Sequence, residues 1–133
     1  VKGTAFDFRK AKRIGKNIND TDEQLLYGKG FDHNYVLNQA LPKEWTKAAK
    51  AIGDKSGIVM TVYTTEPGLQ FYSGNFMQSK NKLRKGYDDF RTAFCLETQH
   101  FPDSPNKPEF PSTVLRPGKK YQTISIYKFS VQK

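Results

Sequence analysis

The chain is poor in the residues that build covalent and metal frameworks. It has one cysteine, Cys95, so neither an intrachain disulfide nor a thiolate metal cluster can form. Its two histidines, His33 and His100, offer no spaced metal-ligand motif. No apolar run approaches the roughly 20 residues that span a bilayer, so no membrane partner is expected. Val1-Lys2-Gly3-Thr4 carries neither a basic-then-apolar leader nor an initiator Met. The sequence is therefore expected to be cut from something longer, and its compartment is not legible. What the chain does have is aromatic mass, with ten Phe and seven Tyr in 133 residues, enough for one domain with a real core and too much for a disordered segment. The net charge of +9 invites a nucleic-acid reading. The charges are scattered, however, over Lys10, Lys12, Arg13 and Lys16, then Lys43, Lys47 and Lys50, then Lys80, Lys82, Arg84 and Lys85, then Lys119 and Lys120. No zinc finger, basic helix or RNA-recognition motif accompanies them, so a solvated surface and no specific nucleic-acid partner are expected.

Periodicity predicts a mostly antiparallel all-β chain. Thr4 to Arg9 alternates and reads as a short strand with Phe6 and Phe8 on one face. Asp20 to Gly28 reads as the one short helix, capped by Asn19 or Asp20 and ended by Gly28. A strand is expected from about Asn34. Ala48 to Ile52, the turn formers Gly53 to Gly57, and Ile58 to Thr64 read as a hairpin, although Ala48 to Ile52 also has helical propensity. Glu66-Pro67-Gly68 is a turn and Leu69 to Tyr72 another strand. Met77 to Gly86 is an exposed basic loop. Pro102, Pro105, Pro108 and Pro111 are three residues apart and predict an extended, polyproline-like path. Tyr121 to Val131 reads as a long final strand. Short strands with Gly and Pro turns fit this class, with no repeat and no linker.

The densest chemistry lies at Phe94-Cys95-Leu96-Glu97-Thr98-Gln99, where an apolar strand runs into a carboxylate ahead of the proline loop. Cys95 reads as a small structural residue. Two readings of Glu97 are open. At a strand end it is partly desolvated, which raises its pKa and makes it a better base. Alternatively it pairs with one of the 22 Lys and Arg residues and is structural. Asp32, taken alone, reads as a turn residue after Gly30, and Gln70 as a solvent-facing strand residue.

Four motifs, in order, carry a resemblance. Gly30-Phe31-Asp32-His33-Asn34-Tyr35 and Pro67-Gly68-Leu69-Gln70-Phe71-Tyr72-Ser73-Gly74-Asn75-Phe76 resemble segments of the aldose 1-epimerases (galactose mutarotases). Phe94 to Gln99 with Pro102-Asp103, then Phe110-Pro111 and Leu115-Arg116-Pro117-Gly118, is similar to that family's C-terminal signature. The resemblance implies an antiparallel β-sandwich of the galactose mutarotase type, with residues 1 to 133 forming the C-terminal part of a single larger domain. It implies interconversion of the α and β anomers of aldohexoses such as galactose and glucose, with no cofactor and no metal. It implies that Glu97 is the general base at the C1 hydroxyl and that Asp32 and Gln70 bind substrate.

The resemblance also carries a departure. The family's histidine acid lies N-terminal to these motifs, and the family does not use the positions of His33 and His100 as the acid. His33 is expected to make a structural hydrogen bond around Asp32, and His100 to pack at the mouth of the proline loop. The chain alone is therefore expected to be inactive, and to need the rest of its protein or to self-associate. A noncatalytic sugar-binding module stays open as the alternative. Hydrolysis of a glycosidic bond by Asp32 and Glu97 ranks below it, since it requires carboxylates about 5 to 9.5 Å apart across a scissile bond.

Overall fold

A computed structural model of the protein describes residues 1–38 and 44–132; Lys43 falls outside them. Among the described residues the chain is all-β apart from one α-helix and two single-turn 3-10 segments. The helix α1 spans Glu23–Gly28, and the strands are β1 Asp32–Val36, β2 Thr46–Ile52, β3 Ile58–Thr64, β4 Gly68–Tyr72, β5 Cys95–Gln99 and β6 Ser125–Val131. They form two three-stranded sheets, ordered β1-β4-β5 and β2-β3-β6. The chain divides into two compact units, Val1–His33 with Phe71–Cys95 and Asn34–Gln70 with Leu96–Lys133.

The first unit is organised by aromatics. Phe31 is fully buried and Leu25 nearly so. The Phe31 ring stacks on Phe71 at 5.2 Å and takes edge contacts from Phe6 and Phe8. Phe6 and Phe8 thus share a face as expected, but on a chain of turns rather than a strand. Their burial comes from packing on Phe31, which needs no ladder partner. Gly30 precedes this residue at φ +132°, where a Cβ would lie 2.4 Å from Asn75 Oδ1, so only glycine fits. Asn75 Nδ2 donates to the carbonyls of Gly28 and Phe31. Asp22, rather than Asn19 or Asp20, caps α1 by accepting from the Gln24 N–H. Lys29 ends it in the left-handed conformation, one residue past Gly28. Lys12 is half-buried: its ammonium donates to the Ala5 carbonyl at 2.6 Å and lies over the Phe8 ring. This basic residue is structural, whereas Lys80, Lys82, Arg84 and Lys85 are exposed, as the solvated reading expects.

His33 makes the bond foreseen for it. The Asp32 N–H donates to its Nδ1 at 3.0 Å, and its ring meets Phe6 edge-on. Burial holds the imidazole below its ordinary pKa of 6.5. Because the folded-state pKa is depressed, the contribution of His33 to stability is complete above the unfolded value. It is lost as the pH falls through the folded one. Urea midpoints should therefore be lower at about pH 5.5 than at about pH 7.5, with a smaller gap in His33→Asn. Equal gaps in both proteins would assign the acid sensitivity to other groups.

In the second unit the hairpin is as expected. β2 pairs antiparallel with β3, and β3 with β6. Ala48 to Ile52 is strand despite its helical propensity, because Ala49, Lys50, Ala51 and Ile52 pair with Val62, Thr61, Met60 and Val59. β6 begins only at Ser125. Before it, the chain is held by reciprocal bonds between Thr65 and Ile124, the Thr65 N–H to the Ile124 carbonyl and the Ile124 N–H to Thr65 Oγ1. The proline segment is not an extended path. It folds into tight turns with a 3-10 turn at Ser104–Asn106. Asp103 sits at φ +63° and Ser104 Oγ donates to the Phe101 carbonyl. The Phe101 ring meets Phe110 edge-on and closes the segment on itself.

Candidate active site

The sheet order β1-β4-β5 puts the two strands carrying Gln70 and Glu97 side by side, although these positions are far apart in the chain. Strand alternation then decides the faces. Gln99 Nε2 lies 3.2 Å from Asn34 Oδ1 and 3.5 Å from Gln70 Oε1, so these three amides share one face of the sheet. Glu97, two residues before Gln99 on β5, belongs to the same face. Leu96 and Thr98 point the other way, and Thr98 Oγ1 meets Ser125 Oγ of β6. Gln70 and Glu97 are thereby brought together on neighbouring strands of the second unit. Asp32 lies in the first unit, half-buried at the head of β1.

Asn34 on β1 and Gln99 on β5 reach each other across β4 because the intervening residue is Gly68. A Cβ there would lie 2.5 Å from Asn34 Oδ1, 3.0 Å from the Phe101 ring and 3.1 Å from the Gln99 carbonyl. The glycine read from sequence as a turn former is the first residue of β4, and it opens the space the amides fill.

Two expectations about β5 are corrected. Glu97 sits at the centre of the strand, not at its end, and it is exposed instead of partly desolvated. On the opposite face Thr98 meets Ser125 of β6. Cys95 is exposed at the start of β5 and does not fill a core position.

Sequence reasoning missed Glu66. It is buried, with 4% of its surface exposed. Its Oε1 accepts from the Tyr121 hydroxyl at 2.6 Å, which raises that phenol's pKa. Its Oε2 lies 2.8 Å from His100 Nδ1, near enough for an ion pair though poorly aligned for a linear hydrogen bond. His100 thus packs on Glu66 and near the Tyr121 ring. The contact joins the turn before β4 to the residue after β5, next to the strands that carry Gln70 and Glu97. A glutamate before Pro-Gly reads as turn polarity, and only the tertiary partners distinguish it.

Among the described residues no group of three His, Cys, Asp or Glu is placed to hold a metal. No helix among them is long and apolar enough to cross a membrane. What the face offers is one carboxylate acceptor beside three amides, a set that suits neutral hydroxyls.

Comparison with known proteins gives this face its context. The chain is 44% identical over 133 residues to human galactose mutarotase, covering 98% of this chain and 36% of that protein. It is 40% identical to the aldose 1-epimerase of Escherichia coli, covering 97% of this chain and 37% of the relative. The chain therefore spans little more than a third of the length of the curated relatives it matches. The crystal structure of the GalM/aldose epimerase homologue from C. elegans superposes with a TM-score of 0.83 at 29% identity, over 99% of this chain and 38% of that one. The all-β architecture described above is thus the aldose epimerase fold. The family model of aldose 1-epimerase matches residues 1–128, and the chain belongs to the aldose 1-epimerase family.

Proposed function

We propose that this chain supplies the base and part of the sugar-binding face of an aldose 1-epimerase acting on aldohexoses such as galactose and glucose. The observation that carries the reading is the shared strand face of Gln70 and Glu97, backed by the Asn34–Gln99 amides. Opening a cyclic hemiacetal requires one proton to leave the C1 hydroxyl and one to reach the ring oxygen. Glu97 takes the first. The second comes from an acid outside these residues, since His33 is committed to the Asp32 backbone and His100 to Glu66. The C1–O5 bond breaks to the open-chain aldehyde, the C1–C2 bond rotates, and closure on the other face returns both protons. Gln70 and Asp32 hold hydroxyls that do not react. Residues 1 to 133 act on this reading as the C-terminal part of one epimerase domain, completed by the rest of the protein.

A second reading has one observation in its favour. Glu97 is exposed here, as a sugar-binding module without chemistry would allow. Polarimetry of freshly dissolved α-galactose separates the two. The complete natural protein should speed the approach to anomeric equilibrium at catalytic concentration, and residues 1 to 133 alone should not. Tight sugar binding by the complete protein without acceleration would establish the module.

A further inference from the structure

β5 and β6 each stand last in the order of their sheets, β1-β4-β5 and β2-β3-β6. The two strands meet through side-chain hydroxyls. The Tyr127 hydroxyl donates to the Leu96 carbonyl at 3.0 Å, and Thr98 Oγ1 shares a hydrogen bond with Ser125 Oγ. The spacing matches on both sides. Leu96 and Thr98 are two residues apart on β5, and Tyr127 and Ser125 are two apart on β6 in the reverse order. The residue between the two attachment points on β5 is Glu97.

The two bonds hold Glu97 from either side along the chain. The Leu96 carbonyl and the Glu97 N–H lie in one rigid peptide plane, so fixing that carbonyl restricts φ of Glu97. The Thr98 hydroxyl restrains the residue that follows and with it ψ of Glu97. The anchor on β6 is itself fixed. Tyr127 lies opposite Val62 of β3 and Ser125 opposite Thr64, and Val62 and Thr64 are fully buried. Leu96, Glu97, Thr98, Ser125 and Tyr127 all belong to the second unit. Both bonds are exposed, so water competes for the partners and the net stabilisation is small. What the bonds supply is aim. Proton transfer needs a carboxylate oxygen within about 2.6 to 3.2 Å of the hydroxyl, and a misplacement of about 1 Å can cost about 10²-fold in rate.

We propose that Tyr127 and the Thr98–Ser125 pair are positioning residues that hold the Glu97 backbone, so that its carboxylate is aimed along the sugar-binding face. The proposal rests on the epimerase reading for what Glu97 does, but not for the restraint itself. These residues act through Glu97 and take no part in the proton transfer. Their loss should therefore lower kcat and leave substrate binding nearly unchanged.

The test uses the complete natural protein, in which Tyr127→Phe and Thr98→Val each remove one hydroxyl and little volume. Each should lower kcat for galactose about threefold to tenfold, and the double variant about tenfold to a hundredfold, with KM within about twofold and the melting temperature within about 3 °C. Thr98→Ser keeps the hydroxyl and should retain at least about half of kcat. In a Glu97→Gln background, Tyr127→Phe should add less than about a twofold loss, because the group it aims is already gone. A double variant with kcat within about twofold of wild type overturns the proposal. So does a rise in KM in place of the fall in kcat, or an undiminished loss in the Glu97→Gln background. If Thr98→Val does not fold, Ser125→Ala removes the same bond from β6 and carries the same expectation. A wild-type protein without hexose turnover, or Glu97→Gln as fast as wild type, sinks the functional reading instead. The restraint is then read from the backbone amide NMR order parameter of Glu97, which must fall in the double variant; an unchanged value overturns it.

Discussion

Glu97→Gln in the complete natural protein should lower the rate of α-galactose anomerisation by about 10²- to 10⁴-fold, the usual contribution of a positioned general base. Glutamine has almost the same shape, still hydrogen-bonds a hydroxyl, and cannot take a proton at neutral pH. Galactose affinity should therefore change by less than about fivefold, the scale of one neutral hydrogen bond. The exposed position of Glu97 does not argue against this role, because an exposed carboxylate remains a competent base. What covering the face would add is desolvation, which moves a carboxylate upward toward the working pH. On the proposed reading the chain provides the base, and cover over β5 would tune it. Retention of half the wild-type rate in Glu97→Gln would remove Glu97 from the chemistry. The binding-module reading would then take its place if affinity were also intact.

The readable parts of this fold are those set by local chemistry. Gly53 to Gly57 had to be a turn, and Ile58 to Thr64 with its β-branched residues had to be a strand, and so they are. Misreadings occur where a distant partner decides. Phe6 and Phe8 alternate like a strand, yet their partner is the Phe31 ring rather than another backbone. The prolines after His100 suggest an extended chain, but Asp103 at φ +63° and the Phe101–Phe110 contact wrap it into turns. The site divides the same way. Gln70 and Glu97 were named through motifs, while their adjacency depends on the order β1-β4-β5, which no local pattern encodes. The amides of Asn34 and Gln99 stood inside the same motifs without a role. Their partners meet only over Gly68, whose missing side chain has meaning once the three strands are aligned. Glu66 escaped for a related reason, since burial of a turn carboxylate follows from Tyr121 and His100, which come far later in the chain.

Phe31→Ala should cost about 3 to 5 kcal/mol, the range for emptying a fully buried phenylalanine site. The cost should fall toward the upper end, because the site cannot collapse. The ring is held between Phe71 at 5.2 Å and the edges of Phe6 and Phe8, and these side chains are anchored in two segments far apart in the chain. The backbone around it is equally committed. The Phe31 N–H donates to Ser73 Oγ, and its carbonyl accepts from Asn75 Nδ2 at 2.9 Å and from the Ser73 N–H. Relaxation into the cavity would break those bonds. Against a typical total of about 5 to 15 kcal/mol, such a loss leaves the protein marginal. The urea midpoint should fall sharply with the slope of the transition unchanged, which marks lost stability and not an altered denatured state. Phe31→Leu fills most of the volume and should recover more than half of the loss. Asp32 follows Phe31 directly, so its placement depends on this aromatic cluster. In the complete natural protein, Phe31→Leu should therefore raise KM for galactose at temperatures where the variant is fully folded. A cost below about 1 kcal/mol for Phe31→Ala would mean the cluster does not form the core of its unit in solution.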